Sequence, residues 1–202
     1  MTRGRFDVAA DPSSRDRLLA AAIDVIRVKG YAATRVDDIA TAAGVTKGSF
    51  FHHFATKEMC ACEAAAFWSV RSRDDFAGAS SDASGPAQRV LAYIDFRISL
   101  LAGPASSYAC YVGTVLQEVH DTHPELAAES AASILGQAAM LEDDLRSALG
   151  SRQNEAHDLA VYIESTIQGA LLFAKAEGDT TGARATLTTL RHFLETRLER
   201  QI

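Results

Sequence analysis

Apolar residues along this chain recur every three to four positions, and no stretch alternates apolar and polar long enough to predict a strand. Leu19, Ala22, Ile23 and Ile26 form the first stripe, which Gly30 ends. Val36, Ile39, Ala40 and Ala43 form a second, short one. It begins behind Thr34-x-x-Asp37, a spacing suited to a helix N-cap, and ends at Gly44, a residue that tolerates the left-handed turn. After Gly44-Val45, Thr46 is set to cap a third helix. On it Phe50 and Phe54, four apart, face back towards the second, while Lys47, Gly48, Phe51 and His52 point elsewhere. These three helices predict a head over residues 12–57, with residues 1–11 read as a loose arm.

Residues 58–202 read as a second, larger helical domain. A long helix beyond Lys57 carries Met59, Ala64, Phe67, Trp68 and Arg71 and fades in the small-residue stretch 77–85. Pro86 suits a first helical position, and Val90, Leu91, Ile94, Ile98 and Leu101 follow up to Gly103-Pro104. A single helix is predicted to hold Tyr108, Tyr111, Val112, Val115, Leu116 and Val119 and to stop at His123-Pro124. Another runs from Leu126 to Gly150, and two more close the chain at 155–177 and 183–200. The class is all-α.

The head carries the chemistry. A helix-turn-helix sets the start of its second helix in the major groove, where small residues permit close approach and polar ones reach bases or phosphates. Thr46, Lys47, Gly48 and Ser49 supply a cation and small residues at such a start, where the helix dipole favours an anion. The same pattern also describes an ordinary antiparallel helix pair. A net charge of −6 argues against nucleic acid only until it is divided. Residues 1–57 hold nine cations against six anions, and the remainder eleven against twenty. Phosphate binding depends on local cation placement, so a basic head on an acidic body suits DNA.

From Arg15 to Lys57 the chain resembles the DNA-binding domain of the tetracycline-repressor (TetR) family of bacterial transcriptional regulators. The residues that carry this are Gly30-Tyr31, Thr34, Asp38-Ile39-Ala40, Ala43-Gly44-Val45, Lys47-Gly48-Ser49, His53-Phe54 and Lys57-Glu58, in one ungapped segment. The resemblance implies a three-helix N-terminal helix-turn-helix followed by a helical effector-binding and dimerisation domain. It implies DNA contacts from Thr34, Arg35, Thr46, Lys47, Gly48, Ser49, Phe51, His52, His53 and Lys57. Two positions depart from the family pattern. Phe51 stands where Tyr is usual, which removes a phenol hydroxyl, and Arg35 stands where a second small hydroxyl residue is usual, adding a cation.

Two terminal stripes bear on assembly: Leu159, Ile163, Ile167, Ala170, Leu171 and Ala174, then Leu187, Leu190, Phe193, Leu194 and Leu198. Such helices can be core in a monomer. The resemblance implies instead a homodimer, joined by a four-helix bundle through Ile163, Ile167, Leu171, Leu190, Phe193 and Leu194, that reads a palindromic operator in double-stranded DNA. Trp68, Phe96, Tyr108, Tyr111 and Met140 are candidates for an apolar pocket for an unknown small-molecule effector, with Arg97 a possible cationic partner, although such residues are more often plain core.

Cys60, Cys62 and Cys110 read as core thiols of a cytoplasmic protein, since the i, i+2 pair diverges around a helix and no cation cluster favours a thiolate. His120, Asp121 and His123 read as a polar helix end, and His52-His53 as one DNA-facing ring and one that packs or contacts phosphate, so no metal and no cofactor is expected. No apolar run spans a bilayer, and no set of nucleophile, base and acid supports catalysis. The expectation is a ligand-relieved repressor. The alternatives are a DNA-binding regulator without an effector, controlled by partner proteins or thiol oxidation, and a helical enzyme on which the motif is coincidental.

Overall fold

The computed structural model describes residues 13–199, and the arm expected over residues 1–11 lies outside the described residues. In chain order the helices are α1 (Ser14–Lys29), α2 (Val36–Ala42), α3 (Lys47–His53), α4 (Lys57–Ala79), α5 (Pro86–Leu100), α6 (Ala105–Tyr108) and α7 (Tyr111–Val119). Then follow α8 (Pro124–Leu149), a 3₁₀ segment (Gly150–Glu155), α9 (Ala156–Glu177) and α10 (Thr181–Glu199). The chain divides into two compact units, one formed by residues up to Val70 with Gly103–Ile134, the other by Arg71–Ala102 with Leu135 onward.

In the first unit α1 packs against α2, α3, α6 and α7. Ser13 caps it, accepting the Asp16 N–H, and its stripe of Leu18, Ala22, Ile23 and Ile26 is wholly buried. Gly44 ends α2 with φ of +67°, where the Gly44 N–H donates to the Thr41 carbonyl and the Val45 N–H to that of Ala40. That pair of bonds turns the chain sharply into α3. The expected cap of α2 is corrected: it is Arg35, whose N–H donates to Asp38 Oδ2 at 2.9 Å. Thr34 is 1% exposed, and its hydroxyl donates to the Gly30 carbonyl at 2.6 Å. A buried carbonyl needs a donor more than a helix start at the surface does, because water serves the latter.

One helix was expected to carry both Tyr108 and Tyr111; the chain breaks between them. Ala109 and Cys110 are extended, with ψ of 136° and 124°, and the Cys110 Sγ caps α7 by accepting the Gly113 N–H at 3.4 Å. The break turns the carbonyls of Ser107 and Ala109 towards Arg27, which is 3% exposed and donates to both, at 2.7 Å to Ser107 from Nη2.

In the second unit α10 packs on α9 and α5. One chain already buries most of the residues expected at the subunit contact. Ile163, Ile167 and Leu194 have no exposed surface, and Leu171 and Leu190 are 5% and 2% exposed, so one chain covers all five. Only Phe193 of that set is exposed, at 44%. A different stripe stays open: Val161, Tyr162, Leu172 and Phe173 on α9, with Phe193 edge-on to Tyr162 at 5.6 Å. Glu164 points the other way. It is buried and accepts the Tyr93 hydroxyl at 2.5 Å, and the Arg97 charge acts on it. Burial nevertheless holds its carboxyl above the ordinary glutamate range.

Candidate nucleic-acid interface

Helix α3 is short because Thr46 starts it and Phe54 turns extended at its end. The Thr46 hydroxyl accepts the Ser49 N–H at 3.1 Å, as the sequence predicts. Phe50 and Phe54 are fully buried, with ring centroids 5.6 Å apart, and hold one side of α3 in the core. The opposite side presents Lys47, Gly48, Phe51 and His52, all exposed, flanked by exposed Thr46 and Arg35 and half-buried Ser49. These four positions follow helical spacing and make one continuous face.

The electrostatics leave that face adaptable. Lys47 Nζ lies 3.0 Å from Asp37 Oδ2, but both groups are exposed, so the pair is weak and a phosphate can replace the carboxylate. Asp38 is occupied at the rear by Lys29 at 2.8 Å, which holds its carboxyl below the usual carboxylate range. Arg35 extends the basic surface beside α2.

Two further sequence-predicted residues brace the head. His53 Nε2 and Ser14 Oγ share a hydrogen bond at 2.7 Å, tying the end of α3 to the start of α1. Lys57 donates to the carbonyls of Tyr31, at 2.9 Å, and Thr34, at 3.0 Å, and its ammonium sits 4.1 Å from the Tyr31 ring centroid. Partial burial lowers its pKa. An ammonium has three donors, so one beyond these two carbonyls is left for a phosphate.

Sequence reasoning missed the residues that hold this head. Glu118, on α7, accepts the N–H groups of Tyr31 at 3.1 Å and Ala32 at 2.8 Å. Arg27 grips α6 and lies 4.8 Å over the Trp68 ring. A basic residue one turn beyond Ile23 on an apolar face was a readable signal for Arg27. Glu118 gave none, because its partners lie 86 and 87 residues away.

The candidate pocket residues are divided between the two units. Trp68, Tyr108 and Tyr111 belong to the first unit, where Trp68 and Tyr111 have ring centroids 6.3 Å apart and the Tyr111 hydroxyl donates to the Ala61 carbonyl at 2.9 Å. Phe96 and Met140 belong to the second and are half-buried. At the end of α7, His120 pairs with Asp121 at 3.0 Å, and His123 bonds Thr122 and meets the Tyr31 ring edge-on at 5.2 Å.

A seven-residue helix, capped by threonine and pinned by two phenylalanines across a glycine turn from its partner, has the geometry of the second helix of a helix-turn-helix, with its other face open. Residues 18–63 match the model of "Bacterial regulatory proteins, tetR family", and residues 86–186 that of "Transcriptional regulator LmrA/YxaF-like, C-terminal domain". An "Uncharacterized HTH-type transcriptional regulator" of Mycobacterium tuberculosis is 30% identical over 189 residues, covering 89% of this chain and 93% of that one. The HTH-type transcriptional regulator LmrA of Bacillus subtilis is 24% identical over 162 residues, covering 80% and 86%. The fold matches a TetR transcriptional regulator from Legionella pneumophila with a TM-score of 0.80 at 22% identity, covering 94% of this chain and all of that one. The chain belongs to the TetR family. It is a DNA-binding transcriptional regulator, and its family is one of regulators, not enzymes. Among the described residues no helix is long and apolar enough to cross a membrane.

Proposed function

We propose that the protein is a cytoplasmic homodimer that represses transcription from a palindromic operator and is released by a small molecule. The observation that carries the dimer is the open apolar stripe of α9 and α10. Tyr162, Leu172 and Phe173 of α9 and Phe193 of α10 are 44–63% exposed; Tyr162 and Phe173 share a face of α9, and Tyr162 meets Phe193 edge-on. Gly169 lies on the same face of α9, and a Cβ there would meet nothing within 4 Å in its own chain. A second copy is the occupant that fits: paired helices give the two-fold axis that sets two α3 faces against two half-sites.

Release by a small molecule is supported by polar atoms buried without partners. Both amide atoms of Gln137, which is 2% exposed, have no hydrogen-bond partner within the chain, a costly state in a core and one that a polar ligand relieves. Control by thiol oxidation is less well supported, because burial pushes the Cys60 thiol up to about 12 and raises that of Cys62 as well.

Selection of DNA from a random pool by purified protein, with light scattering on the complex, tests this reading. A two-fold symmetric sequence bound by a dimer is expected, and a compound panel should contain molecules that both raise the melting temperature and release that DNA. Monomeric protein on an unsymmetric site overturns it.

A further inference from the structure

We propose that Phe51 reads the C5-methyl group of a thymine in the major groove and so determines one base of each half-site; this rests on the α3 face being the DNA-reading face. Phe51 is 50% exposed, and no other large apolar side chain of α2 or α3 is open to solvent. Its ring stands edge-on to that of Phe50, with centroids 5.4 Å apart and planes at 84°, and Phe50 is itself fully buried. The ring is therefore seated on the core and presented outward.

What surrounds it sets what it can meet. Lys47 lies one turn before it, His52 follows it, and Gly48 leaves the space beside it bare: a Cβ at Gly48 would meet only Thr46 Oγ1, at 3.7 Å. A base edge can approach the ring without obstruction. A phenyl group has neither donor nor acceptor, so a phosphate oxygen or the polar edge of guanine, adenine or cytosine gains nothing from it. In the major groove the one apolar feature is the thymine methyl, and packing it against a half-exposed ring removes both from water. Without a phenol hydroxyl the ring has no group to offer a phosphate and presents an apolar surface alone. A 5-methylcytosine carries its methyl at the same place in the groove, so it should substitute where cytosine does not.

The experiment uses the full chain and the sequence it selects from a random pool. Each thymine of a half-site is replaced in turn by deoxyuridine, which removes the methyl and leaves pairing and groove acceptors in place. Wild-type affinity is expected to fall about three- to fourfold at one position, the worth of one buried methyl. Phe51→Ala, checked for native helix content, should bind that uridine duplex and the thymine duplex equally. Cytosine at that position should weaken wild-type binding and 5-methylcytosine restore it. If no uridine position separates wild type from Phe51→Ala, or if Phe51→Tyr tightens binding to every sequence alike, Phe51 faces the backbone and the proposal fails. A protein that selects no sequence at all overturns the DNA-reading conclusion together with it.

Discussion

Glu118 fills the space that Gly30 leaves. A methyl group at residue 30 would stand 2.3 Å from Glu118 Oε1, and the carboxylate there accepts the next two backbone N–H groups, those of Tyr31 and Ala32. Gly30 has φ of +85° and ψ of 161°, a conformation essentially restricted to glycine. Gly30→Ala should therefore cost more than the ~1–3 kcal/mol of such backbone strain, because it also displaces Glu118. Urea unfolding of Gly30→Ala, Glu118→Ala and the double variant checks this. The double variant should fall short of the sum by at least ~0.5 kcal/mol, and simple additivity would show that the two residues are independent.

Arg27 ties α1 to two carbonyls with one planar fork, which an ammonium cannot reproduce. Arg27→Lys is expected to lower stability by roughly 1.5–3 kcal/mol, the range for charge-assisted bonds. Trp68 is the only tryptophan and lies under the guanidinium, so its emission should shift in the folded variant. An unchanged spectrum would mean that the stacking is not populated in solution.

Lys47 and Lys57 separate into a contact and a brace. Lys47→Ala should leave stability within ~0.5 kcal/mol of wild type and reduce the salt slope of DNA binding by about one unit per bound head. As one of the DNA contacts that the family resemblance implies, Lys57 would give the same slope change in Lys57→Ala. With two N–H groups given to the carbonyls of Tyr31 and Thr34, Lys57→Ala should instead lower the melting temperature as well as affinity. Full stability of Lys57→Ala would return Lys57 to a purely phosphate-binding role.

Glu164 makes a signed prediction about pH. Burial raises its carboxyl above the ordinary 4.5, while Arg97 and Tyr93 pull it down. The folded state keeps a proton that the unfolded chain releases, so this group's contribution is present below pH 4.5 and is lost as pH rises through the folded value. Glu164→Gln should remove that loss, giving a flatter dependence of urea midpoint on pH from 4.5 upward. Identical slopes in the two proteins would show that the carboxyl titrates normally.

The open stripe and the buried one on α9 should respond oppositely to charge. Phe173→Asp with Phe193→Asp is expected to yield a monomer of native helix content by light scattering and circular dichroism, with weakened operator binding. Ile167→Asp, placed where no surface is exposed, should prevent folding. A dimer that survives the double change would place the subunit contact elsewhere.

These two stripes also mark where the sequence stops being informative. Periodicity identifies Ile163, Ile167, Leu171, Leu190 and Leu194 as apolar and co-facial, but covering them with α10 and α5 or with a second subunit leaves the same pattern. The head was readable because its determinants are local: Gly44 closes the turn, Thr46 caps α3, and Phe50 and Phe54 are four apart. The misplaced cap at Thr34 and the unforeseen break at Ala109-Cys110 have the opposite origin. At Thr34 the competing acceptor, the Gly30 carbonyl, is only four residues back but becomes decisive once the fold buries it, and at Ala109-Cys110 the Arg27 fork, some eighty residues away, overrode local propensity.

The grip of Arg27 on main-chain oxygens bears on how this protein tolerates mutation. Every residue type carries a carbonyl, so substitution at Ser107 leaves the bond intact as long as the backbone keeps its path, and half-buried Ser107 has room to vary. The donor has no such latitude, since no other side chain combines that reach with N–H groups on two neighbouring nitrogens of one rigid, always charged fork. Random mutagenesis scored by repression should therefore find residue 107 permissive and residue 27 intolerant, an asymmetry between two partners of a single bond.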